Sequence, residues 1–184
     1  MKERRFSLTG LIITMLIIAA IVLFGRHFHI ENFHIIKPGV LYVSGQPRGM
    51  DYPRLLYRYH ISAIVNVRSS DDYRKGNWYH EEVAWVRNNG VKYFELPMDK
   101  NDAGPNSFSD EDSRENFFTI MADRANLPLL LHGDNGRTRV PLLTAVWLVK
   151  SEGFSVKKAV EIAEKIRGQP LSENEIKFIR RSAN

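Results

Sequence analysis

The chain has 184 residues, no cysteine and a formal charge of +5. Its length allows one domain with a core of its own, and the lack of cysteine excludes disulfides, thiolate metal sites and a thiol nucleophile while remaining compatible with an oxidising compartment. Four of the 26 basic residues (Lys2, Arg4, Arg5, Arg26) and one of the 21 acids (Glu3) flank an apolar run, which leaves 22 bases against 20 acids, too even a balance for nucleic-acid binding.

That run extends from Leu8 to Phe24 without a charge, and Thr9 and Thr14 are its polar side chains. At 1.5 Å per residue it measures roughly 26 Å, close to a hydrocarbon core of roughly 30 Å. A cleaved signal peptide is the rival reading, but Phe24-Gly25-Arg26-His27 is a poor cleavage site. The run is therefore expected to be an uncleaved transmembrane helix. Residues 1–30 form the basic flank and anchor, and residues 31–184 one further domain. Lys2, Arg4 and Arg5 outweigh Arg26, so the domain is expected on the exported side, the periplasm in a bacterium. His27, His29 and His34 follow, with Glu31 nearby. Their spacing matches no metal motif, so an interfacial linker is expected, with neither metal nor cofactor.

Leu41-Tyr42-Val43 reads as a strand ending in the turn Ser44-Gly45-Gln46-Pro47. Asp51 is placed to cap a helix through Tyr59, with Pro53 in its first turn. Ala63 to Val67 reads as a buried strand closed by Arg68. Tyr79 to Asn89 is amphipathic, with Val83, Trp85 and Val86 inward and Gly90 as the stop. A strand from Lys92 to Leu96 leads into a polar loop from Pro97 to Phe108. Ser109 caps a helix running to about Arg124. Pro128 to Leu131 is a short apolar strand. Helices follow over Val140 to Ser151, Ser155 to Ile166 and Ser172 to Arg181, the last opened by a Ser172/Glu175 capping box. Alternating strands and helices predict an α/β fold, a mostly parallel central sheet flanked by helices.

In such sheets ligands bind beyond the carboxyl ends of the strands. The segment His132-Gly133-Asp134-Asn135-Gly136-Arg137-Thr138-Arg139 follows a strand directly and opens a helix. Its backbone N–H groups are suited to an anion nest, and Arg139 to a forked bond onto phosphate. An ordinary polar turn is the other reading of these residues alone.

His132 to Arg139 resembles the signature H-C-x-x-G-x-x-R of the protein tyrosine and dual-specificity phosphatases, with His132, Gly136 and Arg139 in register. Leu41 to Pro47 resembles the opening Tyr-Arg-Ser-Gly-Gln-Pro turn of the compact bacterial and plant members, with Val43 at the arginine. Ile64-Val65-Asn66-Val67-Arg68 is similar to their Val-Ile-Asn-Leu-Arg strand. The resemblance runs from Ile36 to Ile166. It implies a dual-specificity phosphatase-like fold, a general acid near Asp99 or Asp102 (the latter nearer the usual spacing), and phosphate held by residues 133–139. It also implies a structural role for His132. Arg68 lines the same pocket or makes a salt bridge.

The departures decide the functional expectation. Gly133 stands where that family has its nucleophilic cysteine, and Val140 where it has a serine or threonine. The groups that would hold phosphate remain, and those that would attack phosphorus do not. A membrane-anchored pseudophosphatase is expected, binding a phosphate-bearing protein, lipid head group or nucleotide. Asp134 as nucleophile is disfavoured, because a carboxylate is repelled by a phosphate dianion. A phosphatase with an atypical nucleophile, or one whose cysteine was engineered away, and a non-catalytic scaffold are the alternatives.

Overall fold

The computed structural model describes residues 8–27, 30–74, 76–98 and 111–182, with side chains at 10–20, 30–73, 76–98 and 111–182. Helix α1 (Leu8–His27) comes first. Then follow strand β1 (His34–Lys37), β2 (Leu41–Ser44), α2 (Asp51–Tyr59), β3 (Ala63–Asn66), α3 (Trp78–Asn89) and β4 (Lys92–Glu95). The rest is α4 (Glu111–Ala122), β5 (Leu129–His132), α5 (Arg139–Glu152), α6 (Val156–Arg167) and α7 (Glu173–Ser182).

The sheet has the order β1-β2-β5-β3-β4. β5 lies between β2 and β3, parallel to both, and β4 adds parallel to β3. The sheet is mixed, because β1 pairs antiparallel with β2 at one edge. This strand corrects the expected linker: His34 begins β1. HIIK is too short and too weakly alternating to announce itself, and pairing with β2 organises it.

All four residues of β2, β3 and β5 are buried, as parallel strands covered on both faces require. Side chains alternate across the sheet. Leu41, Val43, Ala63, Val65, Leu129 and Leu131 face the larger core under α5 and its neighbours. Tyr42, Ile64 and Leu130 face the smaller core with Leu55, Ile61 and Val86. Helix α5 is buried from Val140 to Leu148 and so forms the centre of its layer.

Several boundaries move by a residue or two. Met50 occupies the α2 cap position, and the Asp51 carboxylate instead accepts from Arg48 N–H at 2.9 Å. In α3 the fully buried positions are Glu82 and Val86, while Val83 and Trp85 are half-buried. Helix α4 starts at Glu111, and the expected Ser109 cap lies outside the described residues. The Ser172/Glu175 box forms as read: Ser172 N–H donates to Glu175 at 2.8 Å and Glu175 N–H to Ser172 Oγ at 3.4 Å.

The expected transmembrane helix is not carried by the structure. Among the described residues, no helix is long and apolar enough to cross a membrane. In α1, residues 10–20 are all exposed. Within that stretch, Met15 and Leu16 are each 65% exposed.

Candidate phosphate-binding site

The aligned register brings Ser44, Asn66 and His132 side by side at the carboxyl edge of the sheet. The chain leaves β5 there, turns through residues 133–138 and enters α5. A cavity of about 570 Å³ opens above this turn, between residues 69–72 and residues 133–140. Gly133 to Arg139, the segment singled out in the sequence, thus forms one wall and the floor.

Two glycines in the turn differ physically. Gly136 adopts φ +69°, and a Cβ there would lie 2.6 Å from the Ser44 carbonyl oxygen. Glycine is required by both conformation and space. A Cβ on Gly133 would meet Val140 Cγ2 at 3.5 Å and Val67 Cγ2 at 3.8 Å, ordinary contacts. A side chain fits at 133.

The turn is held from several sides. Gln46 N–H donates to the Asp134 carbonyl at 2.8 Å, Val67 N–H to the His132 carbonyl at 2.9 Å and Asn32 Nδ2 to the Gly136 carbonyl at 3.0 Å. Asn135 Oδ1 accepts from Arg137 N–H at 2.9 Å, closing a local turn. The Arg137 side chain donates to the Arg167 carbonyl at 3.1 Å, and Arg167 Nε returns a bond to the Arg137 carbonyl at 3.0 Å. Arg167 also pairs, buried, with Glu175. Arg137 therefore lines the cavity while its guanidinium leans on the α6 C-terminus. Thr138 sits at the α5 cap position without a side-chain cap bond. Arg139 is the first residue of α5, where the helix dipole favours an anion.

Arg68 is 9% exposed, with its guanidinium 2.8 Å from Asp134 Oδ1, 3.9 Å from Asp72 and 4.0 Å from the Trp78 ring centre. The salt-bridge reading describes it, and it holds two cavity-wall carboxylates. Burial raises the Asp72 pKa, but hydrogen bonding from Ser69 and the charges of Arg68 and Arg139 outweigh it and leave the carboxyl below its usual range. Asp99 and Asp102, the expected acids, lie outside the described residues. Among the described residues, no cluster of three or more His, Cys, Asp or Glu is arranged to hold a metal.

The residue that sequence reasoning missed is Glu82. It is fully buried, 3.2 Å from His132 Nε2, and accepts from Tyr93 OH at 2.9 Å, Gln46 Nε2 at 3.2 Å and Asn66 Nδ2 at 3.4 Å. Burial pushes its pKa up. The His132 charge and the hydrogen bonds from His132, Tyr93 and Gln46 overcome that and hold it below the ordinary value. Glu82 thus ties Gln46 just after β2, the last residues of β3 and β5 (Asn66 and His132) and Tyr93 of β4 into one polar knot beneath the cavity. Its position one helical turn before the buried Val86 was the available signal.

Sheet order, helix layers and the turn between β5 and α5 define a fold of the tyrosine and dual-specificity phosphatase type. The core catalytic domain of the PP-IP phosphatase SIW14 from Saccharomyces cerevisiae, in complex with citrate, superposes with a TM-score of 0.66 at 19% identity, covering 82% of this chain and 84% of that one. A variant of Pseudomonas aeruginosa TpbA in complex with pTyr gives a TM-score of 0.57 at 20% identity, covering 82% and 81%. In sequence, the tyrosine-protein phosphatase-like protein OCA2 of Saccharomyces cerevisiae is 24% identical over 118 residues, 62% of this chain and 54% of OCA2. The chain thus spans about half the length of that relative. No family model matches the chain.

Proposed function

We propose that this chain is a pseudophosphatase that holds phosphate esters in the turn from Gly133 to Arg139 without hydrolysing them. The supporting observation is the contrast within the turn. Gly136 is sterically obligatory, while Gly133 has room for a side chain and has none. The form of the cradle persists where a nucleophile would have to stand. Uncatalysed phosphate-monoester hydrolysis is among the slowest of reactions, so a cradle alone leaves almost no turnover. The pTyr complex of TpbA and the PP-IP phosphatase activity named for SIW14 point to phosphate esters as the ligand class. Calorimetric titration of the full chain with phosphate and vanadate, beside an aryl-phosphate turnover assay, tests the reading. Binding without turnover, lost in Arg139→Ala, is the expected result. Turnover that vanishes in Arg139→Ala would make the site an enzyme. A folded chain with neither would leave a scaffold.

One observation favours a second reading, a phosphatase whose cysteine was replaced. The space at Gly133 accepts a Cβ without a clash. Gly133→Cys is then expected to restore aryl-phosphate hydrolysis, more so with Val140→Ser beside it. An inert but folded Gly133→Cys, Val140→Ser chain would remove this alternative.

Membrane attachment through Leu8 to Phe24 belongs to the same proposal. The uncharged run and the exposure of Leu11, Ile12, Ile13, Met15, Leu16 and Ile17 support it. A reporter fused after Asn184 is expected to be active on the exported side. Cytoplasmic activity would reverse the orientation, and recovery of the chain in the soluble fraction would remove the anchor.

A further inference from the structure

The charges around the cradle select among phosphate ligands, and this inference rests on the phosphate-binding reading above. The residues lining the cavity include three acids, Asp71, Asp72 and Asp134, and two arginines, Arg137 and Arg139. Arg68 adds a third cation, set between Asp134 at 2.8 Å and Asp72 at 3.9 Å. Three arginines therefore stand among three carboxylates, and the site is close to neutral. Arg137 is drawn further away by its bond to the Arg167 carbonyl. A polyanion entering this cavity would meet carboxylates on both walls with no surplus of positive charge to offset them. A ligand with phosphate at one end and an ammonium group a few bonds away would find opposite charge at both.

A second observation comes from Arg68 itself. Its side chain is 9% exposed, and its Nε is buried without a hydrogen-bond partner. Arg68 thus stands behind the cavity wall, committed to Asp134 and Asp72, and adds no surplus positive charge for a polyanion. Asp71 lies on the exposed lip of the same cavity, where an ammonium group can approach without being stripped of water.

We infer that the site selects a small aminoalkyl phosphomonoester, with the phosphate against the turn from Gly133 to Arg139 and the ammonium group at Asp71. The test titrates the full chain in detergent micelles with O-phosphoethanolamine, ethyl phosphate and 2,3-bisphosphoglycerate. O-Phosphoethanolamine is expected to bind about fivefold more tightly than ethyl phosphate, the worth of one partly exposed ion pair, and more tightly than the bisphosphate. Asp71→Asn and Asp71→Ser are expected to bring the ratio of the first two toward one, because the ammonium group loses its partner and ethyl phosphate loses a repelling charge. Equal affinities in the unmutated chain, or a preference for the bisphosphate, would overturn the inference and leave the phosphate reading standing. No binding of any of the three by a folded chain would bring down the phosphate reading, and this inference with it.

Discussion

At the scale of single residues, the two glycines of the turn set the clearest expectations. Gly136→Ala places a methyl 2.6 Å from a backbone oxygen at φ +69°. It is expected to cost more than about 2 kcal/mol and to abolish phosphate binding, as read by chemical denaturation and calorimetry. Gly133→Ala meets only two valine methyls at contact distance. Its stability is expected to change by less than about 1 kcal/mol. Equal losses in the two variants would mean that the turn is not built as described. Glu82 is the third decisive residue. Glu82→Gln leaves Tyr93, Gln46, Asn66 and His132 without their shared acceptor charge. The expected loss is about 3 kcal/mol, measured by denaturant midpoint.

At the scale of elements, β5 and α5 are the pair that places the site. β5 is fully buried and central, so Leu130→Ala is expected to cost about 2–5 kcal/mol by chemical denaturation. The α6–α7 corner acts on the turn from outside the cavity. Arg167 bonds the Arg137 carbonyl and pairs with Glu175, which in turn closes the Ser172 capping box. Arg167→Ala leaves the buried Glu175 carboxylate without its cation, at an expected cost of about 3–5 kcal/mol. It should also weaken phosphate binding, because the turn loses one of its supports. Ser172→Ala removes only the cap, about 1 kcal/mol, and should leave binding intact. Circular dichroism melts and phosphate titrations of the two variants separate the effects.

At the scale of the whole molecule, the polar knot under the sheet edge and the α6–α7 pair give stability an acid limb. Burial raises the Glu82 and Glu175 pKa values, but His132 for the one and Arg167 with Ser172 for the other overcome it, and both end below the ordinary value of 4.5. A carboxyl whose folded pKa is depressed contributes its full stability above the unfolded value, and that contribution is lost as pH falls through the folded one. His34 acts in the same direction at higher pH. Burial, Lys165 and Arg137 hold its pKa below 6.5, so the unfolded chain takes up its proton first. The thermal midpoint is expected to decline gently below about pH 6.5 and steeply below about pH 4.5. Glu82→Gln should flatten the steeper part. A midpoint that does not fall between pH 5 and 3 would show that these carboxyls carry no folding linkage.

The sequence by itself determined the α/β class, most element positions, the Ser172/Glu175 box and the turn from His132 to Arg139. Those features are written in local chemistry: periodicity, caps, glycine and a strand-to-helix junction. What it could not place depended on residues far apart in the chain. β1 exists because β2 offers it an edge. Arg68 meets Asp134 across 66 positions, and Glu82 collects Gln46, Asn66, Tyr93 and His132 from separate elements. Even the distinction between Gly136, which must be glycine, and Gly133, which need not be, arises from Ser44 on another strand. Local sequence sets which backbone conformations are accessible. Only tertiary packing brings distant charges within a few ångströms, where burial and pairing decide what each can do.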